Sequence, residues 1–263
     1  MDTLFAQPEH VERIEDCAFY HVMEIPGHGV VGIERLSDKD PVNRWDLRGG
    51  VDNYLGHVSF TGKRVLEIGP ASGFLTFTME SRGATVVAVE IGPDSSWDIV
   101  PHRLIDRDAV HAGRQESLTR LRNGFWFAHE RLGSSAQVFY GNGRSLPDEL
   151  GRFDIALLAS VLTHNRDPLN MIEQCARLAD CIIVVERHFP EVGPGPVAQL
   201  YASTTSPQWD TWWNFSPALF VEFLAILGFD QPRVMFHSQT HVFPGGSVRM
   251  PMSTVVGQRG PVA

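Results

Sequence analysis

The sequence predicts an α/β fold built on a doubly wound, mainly parallel sheet, and three observations predict it. Residues 63–90 read as strand, tight turn, helix and second strand, and three further short apolar runs alternate with helical stretches downstream. Small residues gather where those runs stop.

Val65-Leu66-Glu67-Ile68 is the short apolar run of a strand covered on both faces, and it ends at Gly69-Pro70-Ala71-Ser72-Gly73. Residues 74–80 read as a helix closed by Arg82-Gly83, and Thr85-Val86-Val87-Ala88-Val89 is a second strand ending in Glu90. This is one βαβ unit with an acid at the tip of its second strand. Glycines let a ligand approach the backbone, the helix start offers unpaired N–H groups, and a carboxylate about twenty residues on accepts hydrogen bonds from vicinal ribose hydroxyls. A nucleoside-containing ligand fits. A dinucleotide does not, because the glycines fall as Gly69-x-x-x-Gly73 and Pro70 lacks the N–H that a phosphate cradle needs.

Residues 1–60 are less regular and are expected to cap the sheet, with the main domain at residues 61–263. Residues 8–16 read as a short amphipathic helix, followed by an apolar run at 19–25 and the breaker Pro26-Gly27-His28-Gly29. Asp40-Pro41 and Arg48-Gly49-Gly50 punctuate the approach to a helix at residues 51–56. After Glu90, residues 91–101 form a loop of turn formers carrying Trp97, and residues 102–133 are mostly helix, with Phe125, Trp126 and Phe127 as core. Strands follow at residues 136–140, 153–159 and 181–185, with Asp167-Pro168 as helix N-cap and first-turn proline between the last two. His164 follows the fourth strand and Glu186 and His188 follow the fifth, at the carboxyl ends where ligands sit in such sheets. Residues 190–217 form a long loop carrying Tyr201, Trp209, Trp212, Trp213 and Phe215, expected to be a lid or substrate loop. A helix at 218–227 precedes Gly228. Residues 233–237 and 253–256 make an antiparallel C-terminal hairpin around Phe243-Pro244-Gly245-Gly246-Ser247, which brings the strands to seven.

A chain of 263 residues is long enough for one such domain with its cap and buries ~75% of the surface its unfolded form exposes. It is 43% hydrophobic without an apolar run long enough to cross a bilayer, and its start has no basic-then-apolar signal, so a cytoplasmic protein without a membrane partner is expected. Cys17, Cys175 and Cys181 lack metal-ligand spacing and read as buried reduced thiols. The formal charge is −9 and Lys39 and Lys63 are the only lysines, a balance that argues against a nucleic-acid partner.

At Glu67-Ile68-Gly69-Pro70-Ala71-Ser72-Gly73 the chain resembles the class I S-adenosylmethionine-dependent methyltransferases, whose first motif is an acid, one residue, then a glycine-rich turn. The resemblance implies the Rossmann-like methyltransferase fold, S-adenosylmethionine as cofactor and S-adenosylhomocysteine as product. It implies that the turn (Gly69, Pro70, Ala71, Gly73) with Glu67 holds the methionine part and that Glu90 holds the ribose. Trp97 and Asp98 are then expected along the adenine and ribose, Ser160 among the cofactor contacts, and Asn142 at the adenine, where most members carry Asp. Two further stretches, Tyr20-His21-Val22-Met23-Glu24-Ile25-Pro26 and Trp212-Trp213-Asn214-Phe215-Ser216-Pro217, resemble a branch that includes the wobble-uridine tRNA carboxymethyltransferases and uncharacterised small-molecule enzymes.

Methyl transfer from a sulfonium is a direct displacement, which asks the protein to align the acceptor and to remove a proton. His188 is the first candidate for general base and His164 the second, with Glu186 orienting either; a metal-assisted variant would draw on the same three, but no metal is expected. Tyr20, His21, Tyr201, Trp209, Trp212 and Trp213 are the expected substrate walls, the first two alternatively anchoring the cap. The N/D-P-P-Y motif of amino methyltransferases of nucleic-acid bases is absent. The expected activity is methyl transfer to a small-molecule acceptor at oxygen, partly flat or apolar. Two alternatives stand beside it: a tRNA-modifying (carboxy)methyltransferase, and a catalytically silent binding protein of the same fold. Exposed-type aromatics serve a lid or a homodimer interface equally.

Overall fold

The structure, a computed structural model, describes residues 4–38, 40, 43–93, 95 and 97–260. Pro41 of the expected Asp40-Pro41 break, and Asp94 and Ser96 of the loop after Glu90, lie outside the described residues, as do Lys39, residue 42 and the three residues at each terminus.

The first βαβ unit forms as its sequence dictates: β4 (Arg64–Ile68), α2 (Phe74–Ser81) and β5 (Thr85–Glu90). Before it come β1 (Met23–Ile25), β2 (Gly29–Val31), β3 (Arg44–Asp46) and α1 (Val51–Tyr54); after it come α3 (Arg107–Leu132), β6 (Gln137–Tyr140), β7 (Phe153–Ala159), α4 (Pro168–Leu178) and β8 (Ala179–Arg187). The lid carries the short antiparallel pair β9 (Ala198–Leu200) and β10 (Trp213–Phe215), and the chain closes with α5 (Pro217–Ile226), β11 (Asp230–Phe243) and β12 (Gly246–Gln258). Side-chain caps stop the helices where the sequence places them: Asp167 accepts the Asn170 N–H at the start of α4, and Ser216 accepts the Leu219 N–H at the start of α5.

The main sheet has eight strands among the described residues, in the order β3-β11-β12-β8-β7-β4-β5-β6, rather than the seven expected. The run from β8 to β6 is parallel, and β12 lies antiparallel to β8, pairing Ser253 with Glu186. The C-terminal hairpin is therefore part of the sheet and much longer than residues 233–237 and 253–256. Its length explains the extra strand. The far end of β11 is left as an edge, and β3 covers that edge by pairing Trp45 with His241.

Side chains alternate along β4 as a twice-buried strand requires: Leu66 and Ile68 join the core under α4 and α5, whereas Val65 and Glu67 face α2. The amphipathic helix expected at residues 8–16 is reduced to one 3-10 turn, Ile14–Asp16. Its end is tied to α3: Ala18 N–H donates to Arg120 O at 2.8 Å, and Arg120 and Asn123 donate to the carbonyls of Cys17 and Asp16. An isolated stretch of that length cannot offset the cost of helix nucleation.

Candidate functional site

β4 connects through α2 to its neighbour β5, while its other neighbour, β7, belongs to the second half of the sheet, so the crevice between the carboxyl ends of β4 and β7 is the topological switch point. The backbone is bent hard on both sides of it. Gly69 (φ +73°) and Gly73 (φ +89°) occupy the left-handed region on one side, with Ala71 at φ +51°, and Ser160 stands at φ +55° on the other. Side chains are excluded there as well: a Cβ on Gly69 would sit 2.6 Å from Val161 Cγ1, and one on Gly73 would sit 2.3 Å from the Phe77 ring. Ala71 and Ser160 carry a Cβ in a region that such residues rarely occupy, a strain typical of ligand sites.

Glu90 ends β5 against this turn. Its carboxylate accepts the Ile91 N–H at 2.7 Å, and burial raises its pKa while hydrogen bonds from Ile91 and Ala71 and the charges of Arg122 and Arg114 pull it down. A narrow recess with a free volume of about 10 Å³ opens beside it, walled by Pro70, Ala71, Phe125, Trp126 and Tyr140. Phe125 and Trp126, expected as core, are buried and also line this recess. Glu67 sits behind the turn rather than in the recess. It is 1% exposed, accepts a short hydrogen bond from Thr76 Oγ1 in α2, and is pushed up to about 8 by burial. Tyr54 Oη and Ser160 Oγ lie 3.3 Å apart on the other side of the crevice.

The cap is latched onto the turn by a residue that the sequence reading passed over. Ser72, fully buried, accepts the backbone N–H of Tyr20 at 3.1 Å and of His21 at 3.5 Å. His21 is buried and brought down to about 4 by burial, so it is a neutral ring packed edge-on against Tyr20. The Tyr20 hydroxyl accepts from Trp45 Nε1 at 3.1 Å.

The lid folds over the same crevice and is held from three sides. Trp212 N–H donates to Thr163 O, Thr163 Oγ1 donates to Trp213 O, and Val100 N–H donates to Trp209 O, at 2.8, 2.7 and 2.8 Å. Trp212 Nε1 donates to Asp98 O at 2.8 Å, and the Asp98 carboxylate accepts from Arg166 N at 2.8 Å and Arg144 Nη1 at 3.3 Å. Asp98 thus ties the loop after β5 to the loop after β7 and to the lid. His164 stands on the 3-10 turn Leu162–His164, its ring 5.4 Å from that of Trp97 and its Nδ1 bonded to the carbonyl of lid residue Asp210. A carbonyl only accepts, so Nδ1 carries the proton and Nε2 keeps its lone pair. Burial lowers the His164 pKa, which keeps the ring neutral. Glu186 supports that turn: it accepts the N–H groups of Leu162 at 3.0 Å and Thr163 at 3.3 Å, and burial pushes it up to about 8.

Tyr20, Trp97, His164 and Trp209 therefore gather at the carboxyl ends of the strands. Four of the remaining expected residues make other contacts. His188 packs on Phe236 of β11 with ring centroids 4.7 Å apart, Trp213 joins the core under α5, Tyr201 is 41% exposed, and Asn142 turns its side chain back onto the Arg144 N–H. Among the described residues no group of three or more His, Cys, Asp or Glu is placed to hold a metal ion. Among the same residues no helix is long and apolar enough to cross a membrane. The sequence reading missed Arg114, whose guanidinium lies 4.0 Å over the Trp97 ring, and Asp210. Arg114 had a signal: with Leu118, Leu121 and Phe125 it shares one helix face, a charge on a side that is otherwise apolar and buried.

No family model matches the chain. A ubiquinone biosynthesis O-methyltransferase of Pseudomonas entomophila (strain L48) is 26% identical over 186 residues, 71% of this chain. The matched stretch spans 59% of that relative's length. Among solved structures, the N-terminal domain of EvdMO1 with SAH bound is similar over 81% of this chain and 79% of its own, at a TM-score of 0.50 and 19% identity. The same domain in the presence of SAH and D-fucose is similar over 81% of each chain at the same score and identity. The fold is thus that of the class I methyltransferases.

Proposed function

We propose that the chain is an S-adenosylmethionine-dependent methyltransferase acting on a small molecule at oxygen. The observation that carries the reading is the turn at residues 69–73, whose Gly69 and Gly73 stand at positive φ where no Cβ fits, facing Glu90 across the recess at the switch point. When bound, S-adenosylmethionine would supply a sulfonium methyl group to an acceptor oxygen, the O–C bond forming as the C–S bond breaks and S-adenosylhomocysteine departing as the neutral thioether.

The chain's own residues have separable tasks. The glycine turn admits the cofactor against bare backbone, and the Glu90 carboxylate accepts from the ribose hydroxyls in place of its present bonds to the turn. Glu67 keeps α2 against β4 and so holds the turn's shape. Trp97 offers an indole face toward the crevice, while Asp98 acts by fastening the lid. His164 Nε2 takes the proton of the acceptor hydroxyl, a role that favours His164 over His188 because only His164 combines a fixed tautomer with a place under the lid. Glu186 positions it through the turn it caps. The lid excludes water from the transfer. A nucleic-acid acceptor would call for a basic face, against a formal charge of −9.

The test is turnover of labelled S-adenosylmethionine with a set of hydroxylated aromatic acceptors. His164→Ala is expected to lower kcat by about 10²–10⁴-fold at neutral pH. The deficit should shrink as pH rises and the acceptor ionises on its own. A deficit that ignores pH, or normal turnover, would remove the base assignment.

A further inference from the structure

Trp97 and Arg114 meet where the loop after β5 crosses α3. The guanidinium carbon lies 4.0 Å from the centroid of Trp97 and 5.8 Å from that of Trp209 on the lid, so the cation is held between two indoles. Two donors here have no answer. Arg114 Nε and Trp97 Nε1 are buried without a hydrogen-bond partner among the described residues. Asp210 and Glu90 act on Arg114 only through space, and no described carboxylate pairs with it. The chain holds 31 acidic against 22 basic side chains, so the missing partner is not for want of carboxylates. Arg187, at the end of β8, is likewise packed on an aromatic ring, Phe189 at 4.7 Å, and acts with Arg114 on the Tyr20 hydroxyl. Buried donors left unmade are costly, and one acceptor supplied from outside would answer both.

Space for that acceptor adjoins Trp97. An open cleft of about 550 Å³, lined by Trp97, Ile99, Ile105, Arg107 and His111 together with Asp106 and Asp108, reaches α3 one turn before Arg114 and is within the usual range of small-molecule sites; the Asp106 carboxylate is turned back onto the Asp108 and Ala109 N–H groups as the helix cap. Trp97 is shared between this cleft, Arg114 and His164.

We propose that Arg114, together with Trp97 Nε1, anchors a carboxylate on the methyl acceptor, which makes the substrate a hydroxylated aromatic acid lying between Arg114 and His164. The inference rests on the methyltransferase reading. A planar guanidinium matches a carboxylate in shape and charge, and the flanking indoles receive the acid's ring. Trp209 sits on the lid, and the affinity for S-adenosylhomocysteine separates this anchor from one for the cofactor's own amino-acid carboxylate.

The whole chain, saturated with S-adenosylhomocysteine, is titrated with 3-hydroxybenzoate and with its neutral counterpart 3-hydroxybenzamide, for wild type, Arg114→Gln and Arg114→Lys. Wild type should prefer the acid by about tenfold or more, Arg114→Gln should lose the preference, and Arg114→Lys should keep part of it. The affinity of all three for S-adenosylhomocysteine, and their melting temperatures, should agree with one another. Equal binding of acid and amide by wild type, or a preference that survives Arg114→Gln, overturns the proposal. So does a loss of S-adenosylhomocysteine affinity in Arg114→Gln, which assigns the arginine to the cofactor's carboxylate. Failure of wild type to bind S-adenosylhomocysteine at all removes the methyltransferase reading instead, and the same titration without it still reads the anchor.

Discussion

The wall formed by residues 69–73 and Glu90 is made mostly of backbone, and its shape is set within one stretch of about twenty residues. The opposite wall draws Trp97 from one loop, Arg114 from α3, His164 from a second loop and Trp209 from the lid, and is made of side chains. A backbone wall binds what every substrate shares and tolerates almost no substitution. A side-chain wall can be retuned residue by residue, which is where acceptor choice belongs.

The largest expected effect follows from breaking the backbone wall. Gly69→Val puts a branched side chain at φ +73° with its Cβ 2.6 Å from Val161 Cγ1. A loss of about 2–4 kcal/mol in unfolding free energy is expected from strain and overpacking together, with cofactor binding abolished. Denaturant unfolding and calorimetry read the two losses. Substitutions in the opposite wall should instead alter acceptor turnover at near-normal stability, and a Gly69→Val protein of normal stability and affinity would erase the distinction.

A subtler effect sharpens it through pH. Glu67 has its pKa raised by burial from 4.5 to about 8, so the folded state keeps a proton there that the unfolded state releases. Its stabilising share is full below the unfolded pKa and is lost as pH rises toward 8, at up to ~1.4 kcal/mol per pH unit. Glu67→Gln removes the titration while keeping an acceptor for Thr76. The melting temperature of the variant relative to wild type should climb between pH 5 and pH 8, the window set by that raised pKa. Glu186, also raised to about 8, and His21, lowered to about 4, contribute to both proteins alike and cancel in the difference. A flat difference would show that Glu67 is ionised behind the turn.

The smallest effect is expected at Tyr201. Tyr201 is 41% exposed, and its backbone N–H donates to Trp212 O at 2.8 Å. Tyr201→Ala should change stability by less than ~0.5 kcal/mol, read by thermal melting, and leave acceptor KM unaltered. A large rise in KM would put Tyr201 back into the substrate wall.

The same contrast explains what was legible in the sequence. Residues 63–90 announce themselves because strand, turn, helix and strand are local patterns with periods of their own. Glu90 follows from that register. Trp97 and His164 follow from their places after strands. Nothing local shows that Ser72 receives the N–H groups of a segment some fifty residues earlier, or that Asp210 fixes the tautomer of His164 from the lid. The N-terminal segment was the hardest to read for the same reason. The end of its apparent helix is tied to α3, and β3 finds its partner in β11 almost two hundred residues away, pairings that only the assembled sheet makes favourable.

The most direct measurement is titration calorimetry of the whole chain with S-adenosylmethionine and with S-adenosylhomocysteine, repeated on Glu90→Ala. Both should bind to wild type, and loss of the Glu90 carboxylate should weaken each by about tenfold or more. No binding to wild type, or an affinity that ignores Glu90→Ala, would contradict the reading of the switch-point crevice as a cofactor site.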